Sequence, residues 1–182
     1  MAWGGEARKQ QASFLREAAY FTPEARVPHD DLSHRNPYLL PLGREMENLY
    51  PGIRDVASGF FSQRGIKWWK SSSSGDNTDV EGPTRNLASS QVACVNFLLP
   101  LSAHPHALKA ILASLDDDIY DVLPVCYTAR ATKSACDALV EFEWVGLHDT
   151  LEGSSYSRGA NATSADALLL AQTAEGLSLI HI

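Results

Sequence analysis

Acidic residues in two apolar stretches are the side chains best suited to chemistry in this sequence. Glu141 and Glu143 alternate with apolar and aromatic residues over 138–145, and Asp166 stands near the start of an apolar run over 164–170. If the two stretches are neighbouring antiparallel strands, carboxylates on the same face lie about 5 Å apart. Hard cations such as Mg²⁺ bind through one or two carboxylates together with substrate phosphates. Glu143 and Asp166 therefore form a candidate site for a shared divalent cation, which can activate water for phosphodiester cleavage.

Two other interpretations of these acids stay open when the residues are taken alone. In the simpler one, which the spacing by itself favours, Glu141 and Glu143 lie on the solvent face of an outer strand and Asp166 ends a turn. In the other, Glu141 or Glu143 carries out acid/base chemistry on a sugar, as the paired carboxylates of glycosidases do. Carboxylate pairs are so common that the glycosidase interpretation carries the least weight.

The elements that must position the acids can be predicted from periodicity. Alternation with β-branched and aromatic residues predicts strands for both acidic stretches. Helical spacing predicts a helix over 84–99, with Thr84 or Asn86 as its N-cap and Pro100 as its stop. Further helical patterns cover the ranges 6–19, 43–63 and 106–115, the second of them interrupted by Pro51-Gly52.

Length and charge limit the class of protein. A chain of 182 residues with 45% hydrophobic content is long enough for one globular domain with a core. The net charge of −7 excludes a broadly basic nucleic-acid coat, but it allows a local basic groove or a metal-dependent enzyme. The N-terminal residues lack the apolar region of a secretory signal, and no run approaches the ~18 apolar residues of a membrane span. We therefore expect a soluble cytoplasmic protein with no membrane partner.

Two tryptophans and two lysines precede a polar loop that covers residues 71–79. Lys67, Trp68, Trp69 and Lys70 are consecutive, and the loop after them is rich in serine. Such a loop can serve a binding site. In the alternative, one of the tryptophans anchors the core and the serines form a solvated linker.

Four blocks of sequence together resemble a known family. They are WWKSSSSGDN at 68–77, NLASSQ at 86–91, FEW at 142–144 and RGANATSAD at 158–166. In this order they resemble a bacterial restriction-endonuclease family, named after a Porphyromonas protein and assigned to the PD-(D/E)XK nuclease superfamily. The resemblance extends over about 36–176 and rests on the succession of blocks rather than on any single motif.

The resemblance implies an α/β fold with a restriction-endonuclease-like core, which is a mixed sheet flanked by helices. It implies Asp166 as a catalytic acid and metal ligand, Glu143 as an auxiliary catalytic acid and metal ligand, and Mg²⁺ as the cofactor. The implied partner is double-stranded DNA, and the protein can act as a homodimer. Basic residues near the shared blocks are the candidate phosphate contacts, namely Lys67, Lys70, Arg85 and Arg158.

The sequence departs from the superfamily pattern after Asp166. The pattern requires a Glu-X-Lys on the next strand, whereas the last lysine of this chain is Lys133. We therefore expect a chain that is incomplete at its C-terminus and whose residues 177–182 are a non-native tail; alternatively, they form a genuine short strand. The expected domains are an N-terminal helical extension and connector over 1–36, then a truncated restriction-endonuclease-like domain over 37–176.

Two functions follow as expectations. The first is a metal-dependent DNA endonuclease of restriction or defence that lacks its Glu-X-Lys strand. The second is a non-catalytic nucleic-acid-binding or structural module built on the same fold.

Overall fold

The structure is a computed structural model that describes residues 3–70, 72–76, 81–125, 138–145 and 164–181. The chain divides into two compact units, Met1–Asn96 and Phe97–Ile182. Within the described ranges, every helix is too short or too polar to cross a membrane.

Helices dominate the first unit, and α4 continues into the second. Their bounds are α1 Trp3–Glu17, α2 Asp31–Arg35, α3 Arg54–Arg64 and α4 Ser90–Ser102. The helices predicted over 6–19 and 43–63 are confirmed, the second as two 3₁₀ turns, Glu45–Asn48 and Pro51–Ile53, followed by α3. Pro51 starts a turn because its fixed φ suits a first helical position, where the missing N–H is not needed.

A cluster of buried apolar side chains joins α1 to the segments that follow it. The members are Leu15, Phe21, Ala25, Leu40 and Leu87. At its edge the ring of Phe14 meets the rings of Tyr20 and Phe21 edge to face, with 5.6 Å between centroids in both pairs. Burial of a large apolar side chain stabilises a fold by about 1.5–3 kcal/mol, so this cluster holds the N-terminal helix on the rest of the unit.

Helix α4 begins six residues later than predicted and ends beyond its expected stop. Thr84 and Asn86 do not cap it; their side chains accept from the backbone N–H groups of Asn86 (3.1 Å) and Ala88 (2.9 Å), which makes two successive turns instead. Ser89 accepts from Val92 N at 3.4 Å at the true start. Pro100 lies inside α4, near its end, where the lost hydrogen bond is followed by only two more helical residues.

The second unit is built on an antiparallel sheet. Its elements are α5 Pro105–Ala113, β1 Ile119–Leu123, β2 Glu141–Val145, β3 Ser164–Thr173 and β4 Gly176–His181. Strand β3 is the longest, and it pairs with β2 along its first half and with β1 and β4 along its second half. Helix α5 contacts β1. One face of β3 belongs to the core, because Ala167, Leu169 and Ala171 are fully buried.

The predicted α/β class with a restriction-endonuclease-like core is confirmed. All described strand pairings are antiparallel, whereas a mixed sheet was expected. Strand β4 covers residues 177–181 of the expected non-native tail, and it forms a hairpin with β3 through a turn in which Gly176 has a φ of +133°. That conformation is readily available only to glycine. The non-native origin of residues 177–182 stays a prediction.

Candidate active site

The register of β2 against β3 brings the two candidate acids together. Glu141 pairs with Leu168, Phe142 with Ala167, and Trp144 with Ala165, in an antiparallel ladder. The pairs on either side, Phe142 with Ala167 and Trp144 with Ala165, place Glu143 level with Asp166 on the neighbouring strand. Residues directly opposite in an antiparallel pair share a face, with Cβ atoms about 4.5–5.5 Å apart in regular geometry.

The two acids lie on the face of the sheet opposite to that of Phe142 and Ala167. Phe142 and Ala167 are 2% and 0% exposed and form the inward face of this strand pair. Asp166 and Glu143 are both partly exposed. Water and a solvent ion can therefore reach the two carboxylates, while their strands are held by a packed core underneath.

The backbone of Glu143 is in an unusual conformation. Its φ is +53°, and it is the one non-glycine residue with a positive φ in the described part of the chain. The left-handed region costs an L-amino acid roughly 1–2 kcal/mol, and residues held there are concentrated at functional sites. The strained residue of this strand pair is thus the one opposite Asp166.

Glu141 is a third acid on this face, and the structure corrects its expected environment. It lies opposite Leu168, two positions along β3 from Asp166, and it is only 4% exposed. The interpretation that placed Glu141 on a solvent face is therefore wrong. A buried carboxylate requires polar partners. Alternation alone gave no signal of this burial, because it reports the face of a residue and not what covers that face.

The donor set formed by Glu143 and Asp166 fits Mg²⁺. No group of three or more His, Cys, Asp or Glu residues is arranged to hold a metal within the ranges that the structure describes. The candidate is accordingly a site with two carboxylates. Magnesium keeps several waters and is bound in proteins through one or two carboxylates plus substrate phosphates, whereas structural zinc needs four nitrogen or sulfur ligands.

The sequence matches the model of one known family. The model of the family described as "Restriction Endonuclease associating with ARP" matches residues 15–181. The chain belongs to this restriction-endonuclease family. No curated protein and no solved structure matches it. The expectation of a restriction-endonuclease family is thereby confirmed, and membership implies DNA as the substrate.

The candidate phosphate contacts of this restriction-endonuclease family member differ widely in exposure. Lys67 is exposed and Lys70 is partly exposed, both in the first unit, whereas Asp166 and Glu143 belong to the second. Arg158 lies outside the described residues. Lys67 and Lys70 are therefore the two candidates whose described positions leave them accessible to a phosphate.

Arg85 is buried rather than presented to solvent. Its side chain is 0% exposed, and Nη2 donates to the carboxylate of Asp30 at 2.9 Å and 3.0 Å. The guanidinium is committed to this ion pair, so its position does not suit a phosphate contact. The sequence carries no sign of this burial, because the partner Asp30 is 55 residues away in the chain and no local pattern reveals it.

The loop with the two tryptophans is anchored at several points. The ring of Trp68 stacks on Phe61 with 3.9 Å between centroids, so the expectation of a core anchor is confirmed for Trp68. Asp76 accepts from Thr84 Oγ1 at 2.6 Å and from Arg85 N at 3.0 Å, which ties this residue of the loop to the turn before α4. Ser74 is 3% exposed, so the part of the loop that the structure describes, residues 72–76, is not wholly the solvated serine linker of the alternative interpretation.

Proposed function

We propose that this member of the restriction-endonuclease family is a Mg²⁺-dependent endonuclease of the PD-(D/E)XK type that hydrolyses phosphodiester bonds of double-stranded DNA in restriction or defence. The observation that carries the proposal is the position of Glu143 opposite Asp166 on an accessible face, at a strained residue of β2. The family match supplies the class of substrate.

The negative charges of the two carboxylates favour the binding of a cation. Two carboxylates at facing positions of neighbouring strands repel one another, and both repel the phosphates of DNA. A divalent cation held by Asp166 and Glu143 would offset both repulsions, so the pair favours an ion at the place where substrate must approach. When bound there, Mg²⁺ would polarise a phosphate oxygen and lower the pKa of water. Asp166 and Glu143 would hold it, and Phe142 and Ala167 beneath them would keep the two strands in register.

A second candidate function is a DNA-binding module without cleavage. The specific observation in its favour is that no lysine follows Lys133 in the sequence, so β3 and β4 carry none. The superfamily pattern uses that lysine to orient or activate the attacking water. The same fold without it would still bind DNA, and cleavage distinguishes the two functions.

The proposal is tested by cleavage of supercoiled plasmid with Mg²⁺ or EDTA. We expect Mg²⁺-dependent nicking and linearisation, and a loss of about 100-fold or more in the rate for Asp166→Asn and Glu143→Gln, because the charge that holds the ion is removed. Asp121→Asn is the matched control, since Asp121 is an exposed acid on β1 of the same sheet. Cleavage that persists in Asp166→Asn overturns the assignment. Binding of DNA without cleavage supports the module instead.

Cutting both strands of a duplex favours a two-fold symmetric homodimer, in which each copy presents one acid pair to one strand. Sedimentation of the protein with and without a short duplex tests this part of the proposal. A strictly monomeric enzyme that linearises plasmid would contradict it.

A further inference from the structure

Trp69 is a large aromatic side chain at the surface of a segment that is otherwise well anchored. It is 44% exposed, whereas its neighbour Trp68 is 8% exposed and stacked on Phe61. The packing role of the tryptophan pair belongs to Trp68. Trp69 presents an indole to solvent directly beside it.

The backbone around Trp69 is held in place by one buried amide. Gln91 on α4 is 3% exposed; its Oε1 accepts from Trp69 N at 2.7 Å, and its Nε2 donates to the carbonyl oxygen of Lys67 at 3.2 Å. The two residues fixed by Gln91 are thus the two with outward side chains. Because the backbone is already ordered, a ligand that binds these side chains need not order it, which lowers the entropic cost of binding.

The stretch of chain that contains Trp69 has a charge opposite in sign to that of the whole chain. Between Asp55 and Asp76 there is no acidic residue, and Arg64, Lys67 and Lys70 give this segment a formal charge of +3 in a chain of net charge −7. Cα atoms two residues apart lie within about 7 Å of each other, so the ammonium of Lys67 and the indole of Trp69 can act on one ligand.

We propose that Trp69 is a stacking platform for one unpaired base of the DNA substrate, and that Lys67 and Lys70 bind the phosphates flanking that base. The class of ligand rests on the proposed function, whose substrate is DNA. An aromatic face stacks on any base, and lysines bind phosphates without regard to sequence. Bases in an intact duplex are already stacked on each other, so the platform takes single-stranded or locally opened DNA.

The ligand-side test compares oligonucleotides that differ only in their bases. The probe is fluorescein-labelled oligo(dT) of about 12 nucleotides, measured by anisotropy in EDTA, against an abasic backbone of the same length and charge. We expect oligo(dT) to bind about 5- to 100-fold more tightly than the abasic strand, because only oligo(dT) can stack. Equal affinities would overturn the proposal and leave a purely electrostatic surface.

The protein-side test asks whether the preference for bases belongs to Trp69. Trp69→Ala should lose the preference for oligo(dT), Trp69→Phe should keep most of it, and Phe97→Ala is the matched control, since Phe97 is an aromatic residue on α4 that is 57% exposed. If Trp69→Ala kept the full preference for oligo(dT) over the abasic strand, the proposed stacking role of Trp69 would be overturned. If that variant does not fold, the oligo(dT) and abasic comparison on the unmodified protein still decides.

Failure of this inference is distinguishable from failure of the nuclease proposal. Binding is measured without divalent metal, and cleavage is measured separately on plasmid. Mg²⁺-dependent cleavage without a preference for bases overturns the platform alone. A Trp69-dependent preference without cleavage overturns the nuclease proposal and supports the platform.

Discussion

The carboxylate of Asp30 and the guanidinium of Arg85 form an ion pair that also caps a helix. Arg85 Nη2 lies 2.9 Å and 3.0 Å from the two carboxylate oxygens, and Asp30 Oδ1 accepts from the backbone N–H groups of Leu32 and Ser33 at the start of α2. Arg85 is fully buried. One carboxylate therefore fixes α2 and compensates a buried charge in the first unit.

The ion pair makes the free energy of unfolding depend on pH in the acid range. The hydrogen bond from Arg85 is the largest cause that lowers the pKa of Asp30, from 3.8 to about 2. Because the pKa of Asp30 is lower in the folded state than in the unfolded state, its ionised form stabilises the fold at pH values above the unfolded-state pKa. This stabilisation is lost as pH falls from about 4 towards 2. We expect Asp30→Asn to be less stable than the parent by about 1–2 kcal/mol at pH 6, and the difference to shrink below pH 4. Urea unfolding at several pH values measures it; a difference that is constant with pH would contradict the account.

Removing Asp30 should lower the free energy of unfolding by more than removing Arg85. Within the described residues, Nε and Nη1 of Arg85 have no hydrogen-bond partner, so the charge depends on Asp30 for compensation. Asp30→Ala should cost about 3–5 kcal/mol, because it leaves a buried guanidinium with neither a counter-charge nor the acceptor oxygen that asparagine would keep. Arg85→Met should cost less, since it removes the buried charge and keeps much of the packing. Chemical denaturation of the two single variants and the double variant gives the coupling; equal costs that simply add would contradict this reasoning.

The φ of +53° at Glu143 predicts an inverted preference between glycine and alanine. In a regular strand, alanine is more stable than glycine, because glycine loses more backbone entropy on folding. At a left-handed position the order reverses, so Glu143→Gly should be more stable than Glu143→Ala by about 1 kcal/mol. Thermal unfolding of the two variants tests this, and neither retains the carboxylate, so the metal does not enter the comparison. An alanine variant that is the more stable of the two would remove the case for strain.

The sequence could predict the elements around the candidate site more fully than the contacts within it. Alternation over 138–145 and the apolar run over 164–170 predicted two strands. The two strands pair with each other, and few registers would bury one apolar face of both. The positive φ of Glu143 and the burial of Glu141 left no local signal, because both depend on what packs against β2.

The errors in the first unit have a related cause. The pair of Asp30 with Arg85 joins residues far apart in the chain, so neither residue could be recognised as structural from its neighbours. Helix α4 starts late because Thr84 and Asn86 accept from the backbone N–H groups of Asn86 and Ala88, and so stabilise two turns that precede the helix. Strand β1 has only five residues and an irregular burial pattern. It is therefore too short for its periodicity to be recognised in the sequence.

The most direct test of the account is the affinity of the protein for Mg²⁺, measured by isothermal titration calorimetry without DNA. Asp166→Asn and Glu143→Gln should each weaken binding by about 10-fold or more, and the losses in the double variant should fall short of additive, because both carboxylates hold one ion. Asp121→Asn should bind Mg²⁺ as the parent does. Unchanged affinity in either Asp166→Asn or Glu143→Gln would contradict the claim that these two residues form a shared metal site.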